Sequence, residues 1–283
     1  GDYFIEKGSE PVMARSAMMR NIRWMLAAML ALSFTAAQAQ VKPKVTKLDE
    51  VPKTVLYIGN SFFYYNNSLH NHVLKLANAA DPSAHYLATS ATISGSGLNW
   101  HDVESLFAAD GMASYSFAPG NKVVMNTRNK KFDAAIMMDC SQCPVHPQLK
   151  PFFTEAAAKD AAIVRKHGAD PVLFMSWAYA DMPEMTEQLA EAYTTAGNAN
   201  DMLVIPAGLA FARAKKEQPD LVLNVEDKRH PTLAGTYLAA CTVLASVYQR
   251  SPVGNPYHAG LDDKTAAFLQ NVAWETVQDY YGK

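Results

Sequence analysis

The stretch Val55-Leu56-Tyr57-Ile58-Gly59-Asn60-Ser61-Phe62 decides the fold, because an apolar strand runs into a Gly-Asn-Ser turn. Gly59 permits a sharp turn, and Ser61 falls three residues past the predicted strand end at position 58. Ligands of open parallel sheets bind outside the carboxyl ends of the strands. We therefore expect the Ser61 hydroxyl at that edge, with its backbone N–H free to bind an oxyanion. Taken alone, such a turn is more often a local cap.

The second informative stretch is Asp227-Lys228-Arg229-His230-Pro231, which lies about 170 residues further along the chain. Its Asp-x-x-His spacing can set a carboxylate beside one imidazole nitrogen, leaving the other nitrogen to take a proton from a serine. The alternative is that Asp227 only caps the helix that follows and that His230 is solvated. Together, the two stretches supply the serine, histidine and aspartate of a nucleophilic hydrolase.

Short apolar runs alternate with helical periods along most of the chain, which predicts an α/β domain with a parallel sheet covered on both faces. The Gly-, Ser- and Asn-rich residues 111–131 interrupt this rhythm and are predicted to form a small hairpin or lid. The predicted strands are 54–58, 85–89, 132–138, 171–176 and 202–205, and the helices 68–80, 152–167, 185–198, 206–217, 231–250 and 262–281.

The N-terminal region has the pattern of a secretory signal peptide. A positively charged segment, 18–23, precedes the uncharged apolar run 24–35, and Ala37-Gln38-Ala39 is an A-x-A cleavage site. The alternative is a membrane anchor, but the apolar run is shorter than the roughly 20 residues that span a bilayer. Export predicts a periplasmic or extracellular protein.

These patterns predict three segments. Residues 1–39 are an upstream extension and signal peptide, with the true start at Met13, Met18 or Met19; residues 40–52 are a lead-in; and residues 53–283 are one domain.

Composition excludes some partners and cofactors. The chain has 25 basic and 27 acidic residues and a net charge of −2, without a basic stripe, so we expect no nucleic-acid partner. No zinc-ligand spacing is present, no cofactor is expected, and the mature part has no predicted membrane span.

Two further loops follow predicted strands and should reach the same edge of the sheet. The loop at residues 92–98 contains Gly95, whose backbone N–H can approach a reacting centre closely. The loop at residues 139–144 contains Gln142, which can donate a side-chain N–H to an oxyanion. Cys140 and Cys143 in that loop form a Cys-x-x-Cys pair, which is either a structural disulfide, two free thiols or a redox site.

Three residues near these loops are candidates for lining a substrate pocket: Asn60, His101 and Trp177. The aromatic residues near the strand ends would suit a sugar ring or an acyl group, and their alternative role is ordinary packing.

With these residues in view, the chain resembles the SGNH (GDSL-like) hydrolase superfamily over residues 53–282. Gly59-Asn60-Ser61 resembles its nucleophile block, with Asn in place of Asp; Gly95 resembles its second-block glycine, and the segment 227–231 resembles its last block. The similarity is greatest to a secreted bacterial branch with a strand–x–Ser–Gln–x–Pro third block, many of whose members carry a domain of unknown function.

The resemblance implies a flavodoxin-like three-layer α/β/α sandwich with a central, mostly parallel five-stranded sheet. It also implies Ser61 as nucleophile, His230 as base and Asp227 as its orienting acid, with an oxyanion hole from the N–H groups of Ser61 and Gly95 and a third-block side chain. The superfamily takes that last donor from a Gly-x-Asn-Asp motif, which this sequence lacks. Gln142 is the candidate substitute.

We therefore expect a secreted serine ester hydrolase that removes O-acyl, particularly acetyl, groups from a carbohydrate or small-molecule ester. The alternatives are a lipase or thioesterase, an O-acetyltransferase with the same triad, and a non-catalytic glycan-binding protein with a relic site.

Overall fold

A computed structural model describes residues 39–108, 114–120, 122–126 and 132–283. One compact unit runs from Val41 to Lys283, and the other, Gly1–Gln40, lies almost wholly outside the described residues. The predicted signal peptide therefore falls outside them as well.

The centre of the domain is a five-stranded parallel sheet in the order β2-β1-β5-β6-β7. Its strands are β1 (Thr54–Gly59), β2 (Leu87–Thr92), β5 (Ala134–Met137), β6 (Asp170–Phe174) and β7 (Leu203–Ile205). A separate antiparallel hairpin pairs β3 (Ser114–Ala118) with β4 (Lys122–Asn126), as the composition of residues 111–131 predicted.

Helices cover both faces of this sheet, which confirms the predicted three-layer α/β/α architecture. They are α1 (Ser61–Tyr64), α2 (Leu69–Ala80), α3 (Val103–Phe107), α4 (Lys150–Lys166), α5 (Met185–Ala199), α6 (Ala207–Glu217), α7 (Leu233–Val247) and α8 (Asp263–Tyr281). The helices on one face of the sheet are α2, α6, α7 and α8. On the other face, α3 and α5 pack against α4. Every residue of α7 from Ala234 to Val247 is buried, which explains why its sequence is apolar on all sides.

The strand order reverses at β1, because the chain passes from β1 to β2 on one side and later returns to β5 on the other. Connections that diverge from one strand leave a crevice at the carboxyl edge of the sheet. The residues after β1, β2 and β5 therefore meet at this switch point, where the sequence analysis placed Ser61, Gly95 and Gln142.

Some predicted boundaries are wrong for reasons that lie in side-chain capping. The helix predicted from Pro231 begins at Leu233, because the Thr232 hydroxyl accepts a hydrogen bond from the backbone N–H of Gly235 at 3.2 Å. Ser68 precedes α2 but makes no capping bond; its hydroxyl donates to the carbonyl of Phe63 at 3.2 Å.

The predicted lead-in, residues 40–52, is attached to the domain. Leu48 is buried, and its carbonyl accepts a hydrogen bond from the Gln249 side chain at 2.9 Å. The Lys44 backbone N–H donates to Asn198 at 2.8 Å. Among the described residues, no helix combines the length and the apolar character needed to cross a membrane.

Asp160 is a buried carboxyl group on α4, and among the described residues no hydrogen bond or ion pair reaches it. Burial raises the pKa of Asp160 to about 7, and the nearby charge of Lys159 opposes the shift only partly. The native protein therefore binds a proton that the unfolded chain releases between about pH 4 and pH 7. Over that interval this group makes the folded state less stable as the pH rises.

Replacing Asp160 by Asn removes this titration, so the change in unfolding free energy on going from about pH 5 to pH 8 should become more positive by at least about 1 kcal/mol than in the wild type. Urea denaturation at the two pH values measures it. Asp220→Asn, the same change at an exposed site, should leave the difference as in the wild type. An unchanged difference in Asp160→Asn would contradict this account.

Candidate active site

Ser61 lies directly after the central strand because the turn at residues 59–61 is tightly packed. A Cβ atom on Gly59 would come within 2.6 Å of the Phe63 ring, so a larger residue there would force this buried ring to shift. Asn60 caps α1, its Oδ1 accepting a hydrogen bond from the N–H of Phe62 at 3.0 Å. Ser61 is thus the first residue of a short helix, and its side chain faces the edge of the sheet.

Ser61, His230 and Asp227 form a continuous hydrogen-bonded series. Ser61 Oγ lies 2.8 Å from His230 Nε2, and His230 Nδ1 lies 2.5 Å from Asp227 Oδ2. Since a carboxylate can only accept, Nδ1 carries the ring proton. The other nitrogen, Nε2, is then free to accept the proton of the serine hydroxyl.

Asp227 is half-exposed, yet its carboxylate is firmly held in the ionised form. Burial alone would raise the pKa of Asp227, but hydrogen bonds outweigh it and lower the pKa to about 2. The donors are the His230 ring and the backbone N–H groups of Arg229 and His230, which lie 2.8 and 3.0 Å from Oδ1. The carboxylate is therefore negative at neutral pH and can stabilise an imidazolium.

Two aromatic rings fix the plane of the imidazole. Tyr65 stacks on His230 with ring centroids 4.4 Å apart and an angle of 19° between the planes. Phe62 meets the same ring edge-on at 5.3 Å. Neither contact was predicted from the sequence, although the aromatic run of residues 62–65, directly after the Gly59-Asn60-Ser61 turn, was a signal for them.

Two backbone N–H groups at this edge are candidates for binding an oxyanion. Among the described residues, neither the N–H of Ser61 nor that of Gly95 donates to a protein acceptor. Gly95 has φ +70°, a left-handed conformation that favours glycine, and a Cβ there would meet nothing within 4 Å.

Buried hydrogen bonds join the glycine loop, residues 92–98, to the turn at residues 59–61, which is called the nucleophile turn. Asn60 Nδ2 donates to the carbonyl of Ser96 at 3.0 Å, and the Ser96 hydroxyl donates to the carbonyl of Gly59 at 3.2 Å. The Nε2 of His101 lies 3.0 Å from that same Gly59 carbonyl. These bonds fix the position of Gly95 relative to Ser61.

Asp139 links the loop after β5 to the other two loops, a role that the sequence did not predict. Its carbonyl accepts a bond from Asn60 Nδ2 at 3.3 Å, and its Oδ1 accepts from the N–H groups of Leu98 and Cys140, each at 2.8 Å. Burial raises the pKa of Asp139, while these two N–H bonds oppose the rise. The loops after β1, β2 and β5 therefore form one hydrogen-bonded unit.

Gln142 lies in a short loop closed by a disulfide between Cys140 and Cys143. Its side chain is exposed and makes no hydrogen bond to a described residue, so its amide N–H groups are available. The Asp139, Cys140 and Cys143 ligand atoms lie within 4.8 Å of one another. With the two sulfurs joined, however, no thiolate is available to hold a metal ion.

Asn60 and Trp177 were predicted to line a pocket, but the structure buries both side chains. Asn60 is 4% exposed and Trp177 is 1% exposed, because both side chains are enclosed and hydrogen-bonded beneath the site. His101 is half-buried, with its Nε2 directed at the nucleophile turn. Its role in a pocket stays a prediction.

Comparison with known proteins identifies the fold. No family model and no curated protein matches the chain. The structure is similar to a DUF4886 family protein from Bacteroides uniformis, with 19% identity and a TM-score of 0.56 over 78% of this chain and 93% of that one.

Two other solved structures have the same architecture. A protein from Slackia heliotrinireducens, proposed to be an SGNH hydrolase, is 18% identical with a TM-score of 0.51, covering 68% of this chain and 97% of that one. LAE5, an α/β hydrolase from the metagenome of Lake Arreo in Spain, is 14% identical with a TM-score of 0.50, covering 69% and 95%. The chain thus has the SGNH hydrolase fold, and the resemblance seen in the sequence is confirmed at that level.

The contacts of Asn60 predict the effect of the substitution Asn60→Asp. A carboxylate oxygen would replace Nδ2 and face the carbonyls of Ser96 and Asp139, so each would lose its donor. We expect the free energy of unfolding, measured with urea, to fall by about 1–3 kcal/mol. Asn99→Asp, the same change at an exposed site in the adjoining loop, serves as control; equal stability of the two variants would contradict this role of Asn60.

Proposed function

We propose that the protein is a serine ester hydrolase that works through an acyl-enzyme. The observation that carries this proposal is the series Ser61–His230–Asp227, with contacts of 2.8 and 2.5 Å, at the switch point of the sheet. Ser61 is activated by an adjacent base, and that base is oriented by a third group. The SGNH fold supports the assignment to a hydrolase.

In the first half of the reaction, Ser61 Oγ attacks the ester carbonyl while His230 Nε2 takes the hydroxyl proton. The tetrahedral oxyanion accepts hydrogen bonds from the backbone N–H groups of Ser61 and Gly95, each worth about 3 kcal/mol in known cases. Gln142 is the candidate for a third donor. His230 then gives its proton to the leaving alcohol as the carbon–oxygen bond breaks.

In the second half, His230 takes a proton from water, and the resulting nucleophile attacks the acyl-enzyme. Collapse of the second tetrahedral intermediate returns the proton to Ser61 Oγ and releases the carboxylic acid. Asp227 remains ionised throughout and stabilises the imidazolium in both halves.

We propose an acetylated carbohydrate as the substrate. Tyr64 lies three residues after Ser61, is 40% exposed, and is bonded through its hydroxyl to Ser94 beside Gly95. Trp100, after the same glycine loop, is 61% exposed. Exposed aromatic faces near a reacting serine offer apolar surfaces against which the C–H face of a sugar can pack.

The proposed location is the periplasm or the extracellular space. Support comes from the signal-peptide pattern of residues 1–39 and from the Cys140–Cys143 disulfide, since such bonds persist in oxidising compartments.

Hydrolysis of p-nitrophenyl acetate tests the proposed function. Ser61→Ala and His230→Ala should each lower kcat by about 10³-fold or more, and their double variant should be little worse, because the residues act as a unit. Asp227→Asn should also lower kcat, because the imidazole loses its orienting carboxylate.

Ser83→Ala, at an exposed serine before β2, is the matched control and should retain full activity. Equal rates in wild type and Ser61→Ala would contradict the proposal. Glycan binding that persists in Ser61→Ala, without turnover by either protein, would instead indicate a binding protein.

Acetate release from acetylated xylo-oligosaccharides, compared with hydrolysis of long-chain p-nitrophenyl esters, tests the substrate class. The proposal predicts a higher kcat/KM for the acetylated sugar. Preference for long acyl chains would indicate a lipase or thioesterase, and acetyl transfer to a sugar in preference to water would indicate a transferase.

A further inference from the structure

The buried side chain of Trp177 is hydrogen-bonded to the backbone directly before His230, the proposed base. Its indole Nε1–H donates to the carbonyl of Arg229 at 2.8 Å, and this carbonyl belongs to the peptide bond that joins Arg229 to His230. Asn224 Nδ2 donates to the same oxygen at 3.2 Å. Any displacement of that peptide moves the imidazole with it.

The same indole packs against the residue that follows the nucleophile. Phe62 is stacked on Trp177 with ring centroids 4.8 Å apart and an angle of 8° between the planes. Phe211 covers the opposite face at 4.3 Å and 3°. One rigid ring system therefore contacts the neighbours of both Ser61 and His230.

The loop that carries the base needs such support, because it has no regular secondary structure of its own. Residues 226–229 are exposed, and Lys228 has φ +67°, a conformation that costs a non-glycine residue energy. Several bonds lie within this segment: beside those of Asp227, the N–H of Lys228 donates to the carbonyl of Val225, and the N–H of Val225 donates to that of His230, each at 2.9 Å. From another part of the chain, the N–H of Ala180 donates to the carbonyl of Lys228 at 2.8 Å.

We infer that Trp177 is a positioning residue, which holds His230 at hydrogen-bonding distance from Ser61 through the Arg229 carbonyl on one side and Phe62 on the other. This inference rests on the proposed function. Because proton transfer depends steeply on geometry, a small displacement of the base lowers the rates of both acylation and deacylation without altering where the substrate binds.

The test compares two substitutions on the same indole. Trp177→Phe keeps an aromatic ring between Phe62 and Phe211 but removes the N–H, so kcat for p-nitrophenyl acetate should fall about tenfold while KM stays within about twofold. Phe211→Leu removes packing from the far face and leaves the N–H bond, so it should lower Tm and leave kcat within about twofold of wild type.

A second readout is independent of the substrate. Diisopropyl fluorophosphate reacts with a serine that is activated by its histidine, and its rate of covalent attachment to Ser61 should fall in Trp177→Phe by about the same factor as kcat. If Trp177→Phe does not fold, 3-benzothienylalanine at position 177 keeps the shape of the indole without the N–H and should give the same loss.

A kcat and a labelling rate within about twofold of wild type in the variant lacking the N–H would overturn the inference. So would equal losses of kcat in Trp177→Phe and Phe211→Leu at matched losses of stability, since Trp177 would then act only through packing. A wild type that labels at Ser61 but hydrolyses no ester contradicts the proposed function alone, and labelling rates still test Trp177. A wild type that does neither overturns both.

Discussion

The structure depends on the position of β1, which is enclosed by β2 on one side and β5 on the other and is completely buried from Val55 to Ile58. Both the forward and the return connections of the chain diverge from this strand, so the crevice at its carboxyl end follows from the strand order alone. Ser61 lies in that crevice because the chain has only Gly59 and Asn60 in which to turn from strand to helix.

Buried polar groups then convert a crevice into a defined site. Asn60 and Asp139 join the three loops after β1, β2 and β5, and the three bonds that connect one loop to another are buried. Leaving such a group without a partner costs about 1–3 kcal/mol, which makes the network sensitive to small changes. Ser61 and Gly95 are in this way held by one unit, while His230 comes from a separate loop, whose Arg229 carbonyl accepts a hydrogen bond from the Trp177 indole.

Much of the architecture was predictable because strands of a covered parallel sheet are apolar throughout, and the turn residues after them are distinctive. The pairing of Ser61 with His230 was predictable for a related reason, because both residues lie at the ends of secondary-structure elements. Trp177 was predicted near the site, but its orientation was not, since its bond to Arg229 joins residues 52 positions apart. Asp139 likewise resembled an ordinary loop residue. The start of α7 was predicted at Pro231, a residue typical of a first helical turn, but it depends on the capping hydroxyl of Thr232.

The central claim is that Ser61 becomes covalently acylated during turnover, and the most direct measurement is mass spectrometry of the protein quenched in acid during reaction with p-nitrophenyl acetate. The account predicts a species heavier by one acetyl group, with the modification on the peptide that contains Ser61 and absent from Ser61→Ala. Turnover without a covalent species at Ser61 in conditions that slow deacylation, or acetylation at a different residue that is required for activity, would contradict it.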